Sequence, residues 1–285
     1  MDSNDTLLQR LKAIAGEFPD LAQTARLYEA VLPVLRDEEL PVLPAGPVAD
    51  EVRDRLGQGL PFLEGLDLEA DSRQVAGLLV RLAAAAEKVG ARVSADRISR
   101  WLNDELGGDV SAAFQAILAG DDEPAGNSLV QMGIDRDVCR LLAQSSMKPL
   151  LRSWRVQIAP LAAIVKWDKG TCFVCGSEPL FAELQGNGQE KHLRCGLCGA
   201  DWRVARLSCP HCGNEDHRSL KVLFPESDPA RPRVEACDRC MAYVKVIPAF
   251  APTPVDLLPV EDLATLHLDA AAQQCGYRSS AAECS

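Results

Sequence analysis

The sequence has no long apolar run, no excess of positive charge and none of the compact motifs that mark common catalytic sites. Its apolar stretches are short: Leu161 to Val165 ends at Lys166, well below the ~20 residues a membrane span needs. An integral membrane segment is excluded on that ground. Lys and Arg number 30 against 41 Asp and Glu, a formal net charge of -11. Such a field repels nucleic acid and anionic membranes at long range. The opening Met1-Asp2-Ser3-Asn4-Asp5 is polar, with no apolar core behind it, so a secretory leader is not expected and a cytoplasmic location is. There is no G-x-x-x-x-G-K-[ST] loop, no G-x-G-x-x-G turn and no H-E-x-x-H helix, and no nucleophile and base stand in a recognisable pattern. Nothing in the chain reads as an enzyme.

What is present divides the 285 residues in two. From Asp5 to about Trp167 apolar residues recur at helical spacing. After Asp71 and Ser72, the residues Val75, Leu78, Leu79, Leu82, Ala86 and Val89 fall on one stripe, with Gly90 placed to cap it. Similar patterns predict helices over Leu7 to Ala15, Leu21 to Leu35, Ala49 to Leu56, Ala95 to Leu106, Val110 to Leu118, Arg136 to Ala143 and Ser146 to Val165. These stripes are read as core packing. Loops are expected at Pro41 to Pro47 and at Gly120 to Asn127.

Beyond Lys169 and Gly170 the composition turns to cysteine, glycine and short strand-like segments: Trp202 to Leu207, Leu220 to Phe224 and Tyr243 to Ile247. Pro248, Pro252, Pro254 and Pro259 make a stiff connector, and Glu261 to Gln274 reads as a final helix that docks back onto the protein. The expected fold is a multidomain α plus small β chain. Residues 1–167 form an all-α domain, 168–206 and 207–250 two tandem four-cysteine modules of the rubredoxin-like or zinc-ribbon kind, and 251–285 the connector and helix.

Eleven cysteines placed at random over this length would give about 0.4 C-x-x-C pairs. Four occur: Cys172 with Cys175, Cys195 with Cys198, Cys209 with Cys212, and Cys237 with Cys240. One tight turn brings both sulfurs of a pair to one ion, and the glycines that follow at Gly176, Gly199 and Gly213 permit the positive φ this turn needs. Two pairs close a tetrahedral shell of four thiolates. The simplest grouping is sequential, with 19 residues between the first two pairs and 24 between the last two. Joining the middle pairs across 10 residues would strand the outer ones. A filled shell leaves no open position for substrate, which marks a structural or electron-transfer site. Zinc and iron suit four thiolates equally. A redox-dithiol reading would need a βαβ setting that is missing.

Cys139, on an expected helix, reads as a small buried hydrophobe, and Cys275 and Cys284 receive no role. His211 lies between two ligands and should point away from the ion, while His192, His217 and His267 read as surface residues. From Lys166 to Phe250, twelve Lys and Arg stand against eleven Asp and Glu, and two tetrathiolate centres of about -2 each make the region acidic. A nucleic-acid module would be basic.

These motifs resemble those of the bacterial formate dehydrogenase accessory proteins. The resemblance rests on Cys172-Phe173-Val174-Cys175-Gly176-Ser177-Glu178-Pro179, on Leu193-Arg194-Cys195-Gly196-Leu197-Cys198-Gly199-Ala200-Asp201-Trp202, on Cys209-Pro210-His211-Cys212-Gly213 and on Glu235-Ala236-Cys237-Asp238-Arg239-Cys240. It continues through Glu261-Asp262-Leu263-Ala264-Thr265-Leu266-His267-Leu268-Asp269 to Gly276-Tyr277. It implies a cytoplasmic maturation factor, chaperone-like and not catalytic, that meets the catalytic subunit of a respiratory formate dehydrogenase. It also implies rubredoxin-type centres, with iron favoured over zinc and the eight paired cysteines as ligands. A homo-oligomer is compatible with this reading, and the helical half matches only in general character.

Overall fold

The computed structural model describes residues 3–38, 48–66, 72–103, 135–223 and 231–279. In chain order its helices are α1 (Ser3–Glu17), α2 (Ala22–Arg36), α3 (Ala49–Gly57), α4 (Ser72–Lys88), α5 (Ala95–Leu102) and α6 (Arg136–Val165). Six strands follow: β1 (Phe181–Gln185), β2 (Glu190–Arg194), β3 (Asp201–Arg203), β4 (Leu220–Leu223), β5 (Arg233–Cys237) and β6 (Ala242–Ala249). Helices α7 (Leu258–Ala264) and α8 (Leu266–Gln274) close the order. The chain forms two compact units, one of residues 1–45 and 65–154, the other of residues 46–64 and 155–285.

In the first unit the apolar stripes meet as the periodicity requires. Leu7, Leu11 and Ile14 of α1, Val31, Leu32 and Leu35 of α2, and Leu78, Leu79, Leu82 and Ala86 of α4 are buried. Each buried Val, Leu or Ile among them contributes about 1.5–3 kcal/mol. Gly90 takes a positive φ of 83° just past α4, and Val89, expected on the stripe, lies beyond the helix and is exposed. Ser94 caps α5 by accepting from Arg97 N at 3.4 Å. Two helices expected over 136–143 and 146–165 are one, α6. Gln144-Ser145-Ser146 does not break it, because the buried Ser146 hydroxyl donates to Ala143 O at 2.7 Å and so brings no unsatisfied polar group. The helix expected over 110–118 and the loops over 41–47 and 120–127 lie outside the described residues.

In the second unit the strands form one six-stranded sheet in the order β3-β2-β1-β6-β5-β4. Two antiparallel three-stranded halves, β1 to β3 and β4 to β6, join along the parallel pair β1 and β6, with Ala182 opposite Val246 and Leu184 opposite Pro248. The tandem modules thus share a sheet. Pro248, read as the start of the connector, is within β6 but beyond the β5 register, which ends at Val246.

Charged side chains are buried in this sheet, in pairs. Glu183 and Arg194 are 0% and 3% exposed at the side chain and 2.6 Å apart. Arg194 Nη2 donates to Thr253 O at 2.8 Å and Thr253 N donates to Glu183 Oε1 at 3.1 Å, which pins the proline connector. Lys245 Nζ, 3% exposed, donates to Asp262 Oδ1 and Asp269 Oδ2, both at 2.6 Å, and holds α7 and α8 against β6. Leu268 and Ala272 of α8 pack on Val234, Ala236 and Tyr243. The single final helix expected from sequence is broken at Thr265, whose hydroxyl donates back to Glu261 O at 2.9 Å.

Candidate metal centres

Each half of the sheet repeats one plan: a C-x-x-C turn, two strands, a second C-x-x-C turn, a third strand. The turns share their backbone bonds. The N–H of the residue after the second cysteine donates to the carbonyl of the first: Gly176 to Cys172 at 2.9 Å, Gly199 to Cys195 at 3.1 Å, Gly213 to Cys209 at 2.9 Å and Met241 to Cys237 at 2.8 Å. In the first three turns the first cysteine's N–H donates in return, to Ser177 O, Ala200 O and Asn214 O, each at 2.9 Å. The glycines sit at φ of 77°, 74° and 67°, and Met241 adopts 56° in their place.

The halves thereby gather their sulfurs. Cys172, Cys175, Cys195 and Cys198 form one group and Cys209, Cys212, Cys237 and Cys240 the other, the sulfurs of each lying within 4.8 Å of one another. This is the sequential grouping, and the middle pairs are not joined. The Sγ–Sγ distances are 3.4 Å for Cys172 and Cys198, 3.6 Å for Cys175 and Cys195, 3.7 Å for Cys209 and Cys240, and 3.8 Å for Cys212 and Cys237. A disulfide would be about 2.05 Å. Thiolates at about 2.3 Å from one tetrahedral ion stand about 3.8 Å apart. Each group could therefore hold one metal ion.

The charge balance points the same way. Burial pushes the Cys172 and Cys198 thiols well up. Cys195, which burial would also raise, is brought well below the usual thiol range by hydrogen bonds with its three neighbours and Ser177. In the second group burial lifts Cys209, and lifts Cys240 to about 11. Burial opposes charge on Cys237 too, but the N–H groups of Cys240 and Arg239 and the Asn214 amide draw it down to about 7. Four sulfurs so close cannot all be thiolates unless a cation sits among them.

Sequence reasoning missed two partners of the sulfurs. Ser177 Oγ is 3.1 Å from Cys175 Sγ and 3.2 Å from Cys195 Sγ, and Asn214 Nδ2 is 3.5 Å from Cys237 Sγ. Both stand directly after the knuckle glycine, in Cys175-Gly176-Ser177 and Cys212-Gly213-Asn214, and that shared position is the signal that could have found them. His211 points away from the sulfurs: Nε2–H donates to Tyr243 O at 3.0 Å, and Nδ1 lies 3.1 Å from Glu178 Oε2 without hydrogen-bond alignment. Cys139 is buried in α6, where burial lifts its thiol to about 12. Cys275 is exposed and belongs to neither group, and Cys284 lies outside the described residues.

Two cavities lie in the unit that carries the sheet. One of about 790 Å3 contains Trp167, Trp202 and the pair His192 and Asp201, whose Nδ1 and Oδ1 are 2.6 Å apart. No serine, threonine or cysteine is among its described lining residues. The other, of about 310 Å3, includes Cys209 and Cys237 in its wall. No helix among the described residues is long and apolar enough to cross a membrane.

The chain is similar to known proteins. Residues 207–284 match the family model described as FdhE, C-terminal domain. A protein FdhE homolog of Edwardsiella ictaluri is 30% identical over 179 residues, 61% of this chain and 53% of the relative. An FdhE homolog of Aquifex aeolicus is 29% identical over 154 residues, 53% of each chain. Protein FdhE of Escherichia coli is 36% identical over 111 residues, 38% of this chain and 35% of the relative. The aligned stretch spans about half or less of the length of these relatives. The crystal structure of the FdhE protein from Pseudomonas aeruginosa superposes with a TM-score of 0.62 at 21% identity, covering 98% of this chain and 94% of that one. That likeness extends over the whole fold.

Proposed function

We propose, from its similarity to the FdhE proteins, that this chain is a member of the FdhE family and an accessory factor in the maturation of a formate dehydrogenase, meeting the enzyme's catalytic subunit in the cytoplasm. The family is one of accessory proteins rather than catalysts, and the site agrees with that role. The observation that carries the reading is the pair of four-cysteine groups on one sheet, each with its sulfurs within 4.8 Å. In this reading Cys172, Cys175, Cys195 and Cys198 hold one ion and Cys209, Cys212, Cys237 and Cys240 the other, with iron favoured. Iron bound by four thiolates supplies one-electron chemistry, which zinc cannot.

The protein's own residues supply the rest. Ser177 stabilises charge on Cys195 and Asn214 on Cys237, and one shared sheet carries both groups. The helical residues of the proposed 1–167 domain are assigned to partner recognition, and the modules at 168–206 and 207–250 to the metal. Complete burial of Cys172, Cys195 and Cys198 supports a structural contribution from the first ion whatever its identity.

Protein purified from iron-sufficient cells should contain two metal ions per chain with iron among them, and should co-purify with a formate dehydrogenase catalytic subunit from the same cells. Elemental analysis that finds no metal would sink the ligand assignment. Metal-loaded protein that never captures the subunit would sink the partner.

A further inference from the structure

The two groups have the same chemistry but different surroundings. In the first, Cys172, Cys195 and Cys198 are 0% exposed and Cys175 4%. Other segments close over it. Phe62 N and Leu63 N donate to Phe173 O and Val174 O at 2.9 and 2.8 Å, so the backbone of the first turn is tied down from outside. The space beside each of its glycines is occupied. A Cβ on Gly176 would stand 3.4 Å from Pro61, one on Gly196 3.3 Å from Leu180, and one on Gly199 only 2.5 Å from Val255.

The second group is more open at two of its sulfurs, although Cys209 and Cys237 are buried and its last turn is held from outside by Asp238 N donating to Ser219 O and Arg278 N donating to Met241 O, each at 2.8 Å. Cys212 and Cys240 are partly exposed, a Cβ on Gly213 would meet nothing within 4 Å, and Met241 is 36% exposed. The 310 Å3 cavity at its side carries Lys191, Arg206, Lys221 and Arg233 against one carboxylate, Glu235. Lys191 and Arg233 pair with Glu235, and with a tetrathiolate centre of about -2 in the wall the balance is about +1, so an incoming anion meets no repulsion there, in a chain whose net charge is -11.

We propose that Cys209, Cys212, Cys237 and Cys240 form an exchangeable metal site, open to anionic metal-binding ligands, whereas the first group is a closed staple. This rests on the reading of the eight cysteines as ligands. Exchange starts when an incoming donor reaches the ion or when one thiolate lifts away. Cys212 and Cys240 already reach solvent and can lift toward it, while Cys175 and Cys198 are buried. The ion leaves bound to the incoming ligand, each freed thiolate takes a proton from solvent, and no electron is transferred. Opening a site costs local unfolding free energy, and that cost is greater where more segments must move.

The test uses full-length protein carrying two zinc ions, challenged with EDTA. Native mass spectrometry counts the ions, and iodoacetamide labelling locates the sulfurs set free. One ion should leave at least about tenfold faster than the other, a difference of about 1.4 kcal/mol in barrier, with label appearing on Cys212 and Cys240 before any cysteine of the first group. Lys221→Glu should slow release to EDTA more than release to the uncharged chelator phenanthroline. Loss of both ions at one rate, or label first on the 172–198 set, would overturn the proposal and leave the ligand reading intact. Protein that takes up no zinc overturns both.

Discussion

Three of the four turns place glycine where the backbone needs a positive φ, and the fourth places Met241 there, at 56°. A side chain in that region costs about 1 kcal/mol relative to glycine. Met241→Gly should therefore stabilise the metal-loaded protein by up to about 1 kcal/mol, seen as a rise in the thermal midpoint. A fall would mean that the partly exposed methionine packs more productively than its surface suggests. At this scale the gathering of the eight sulfurs into two groups of four was legible, because C-x-x-C spacing is a direct statement of turn geometry. Ser177 and Asn214 were not, since a hydroxyl or amide near a turn has many ordinary uses and only the folded distances select this one. Glu178 beside His211 was equally silent, its 3.1 Å approach depending on two segments 33 positions apart.

Elements were legible where burial and polarity coincide. The stripe of α4 is the clearest case: Val75, Leu78, Leu79, Leu82 and Ala86 are all buried. Strands β1, with Glu183, and β2, with Lys191 and Arg194, escaped because those charged residues are buried, so that polarity ceased to mark the outer face. The same residues make a prediction. Arg194→Ala leaves Glu183 buried without its cation and should cost about 3–5 kcal/mol in chemical denaturation. Replacing both by apolar residues, Arg194→Met with Glu183→Leu, should cost much less. If single and double variants fall together, the pair holds the connector through Thr253 and charge is not the issue.

On the scale of the molecule, the sheet unit depends on its ions in a way the helical unit does not. Four-thiolate binding is worth on the order of 10–16 kcal/mol, much of the folding free energy of small modules like these. Stripping the metal should expose residues 168–250 to trypsin and abolish the near-ultraviolet signal of Trp202, while most helical circular dichroism persists. Unchanged proteolysis would mean the sheet stands on its apolar contacts and buried ion pairs alone. Tandem modules could be read from the cysteine pattern, but their union could not. The parallel pair of β1 and β6 is a contact between distant positions with no local signature. Nor does any motif announce that Phe62 and Leu63 bond to the first turn.

That parallel pair imposes an order on synthesis. The ribosome delivers β1 about 60 residues before β6, a delay of several seconds at about 5–20 residues per second. Until then the growing chain carries an open strand beside a finished pair of thiol turns. Early capture of the first ion would hold that nascent half together while it waits for its neighbour.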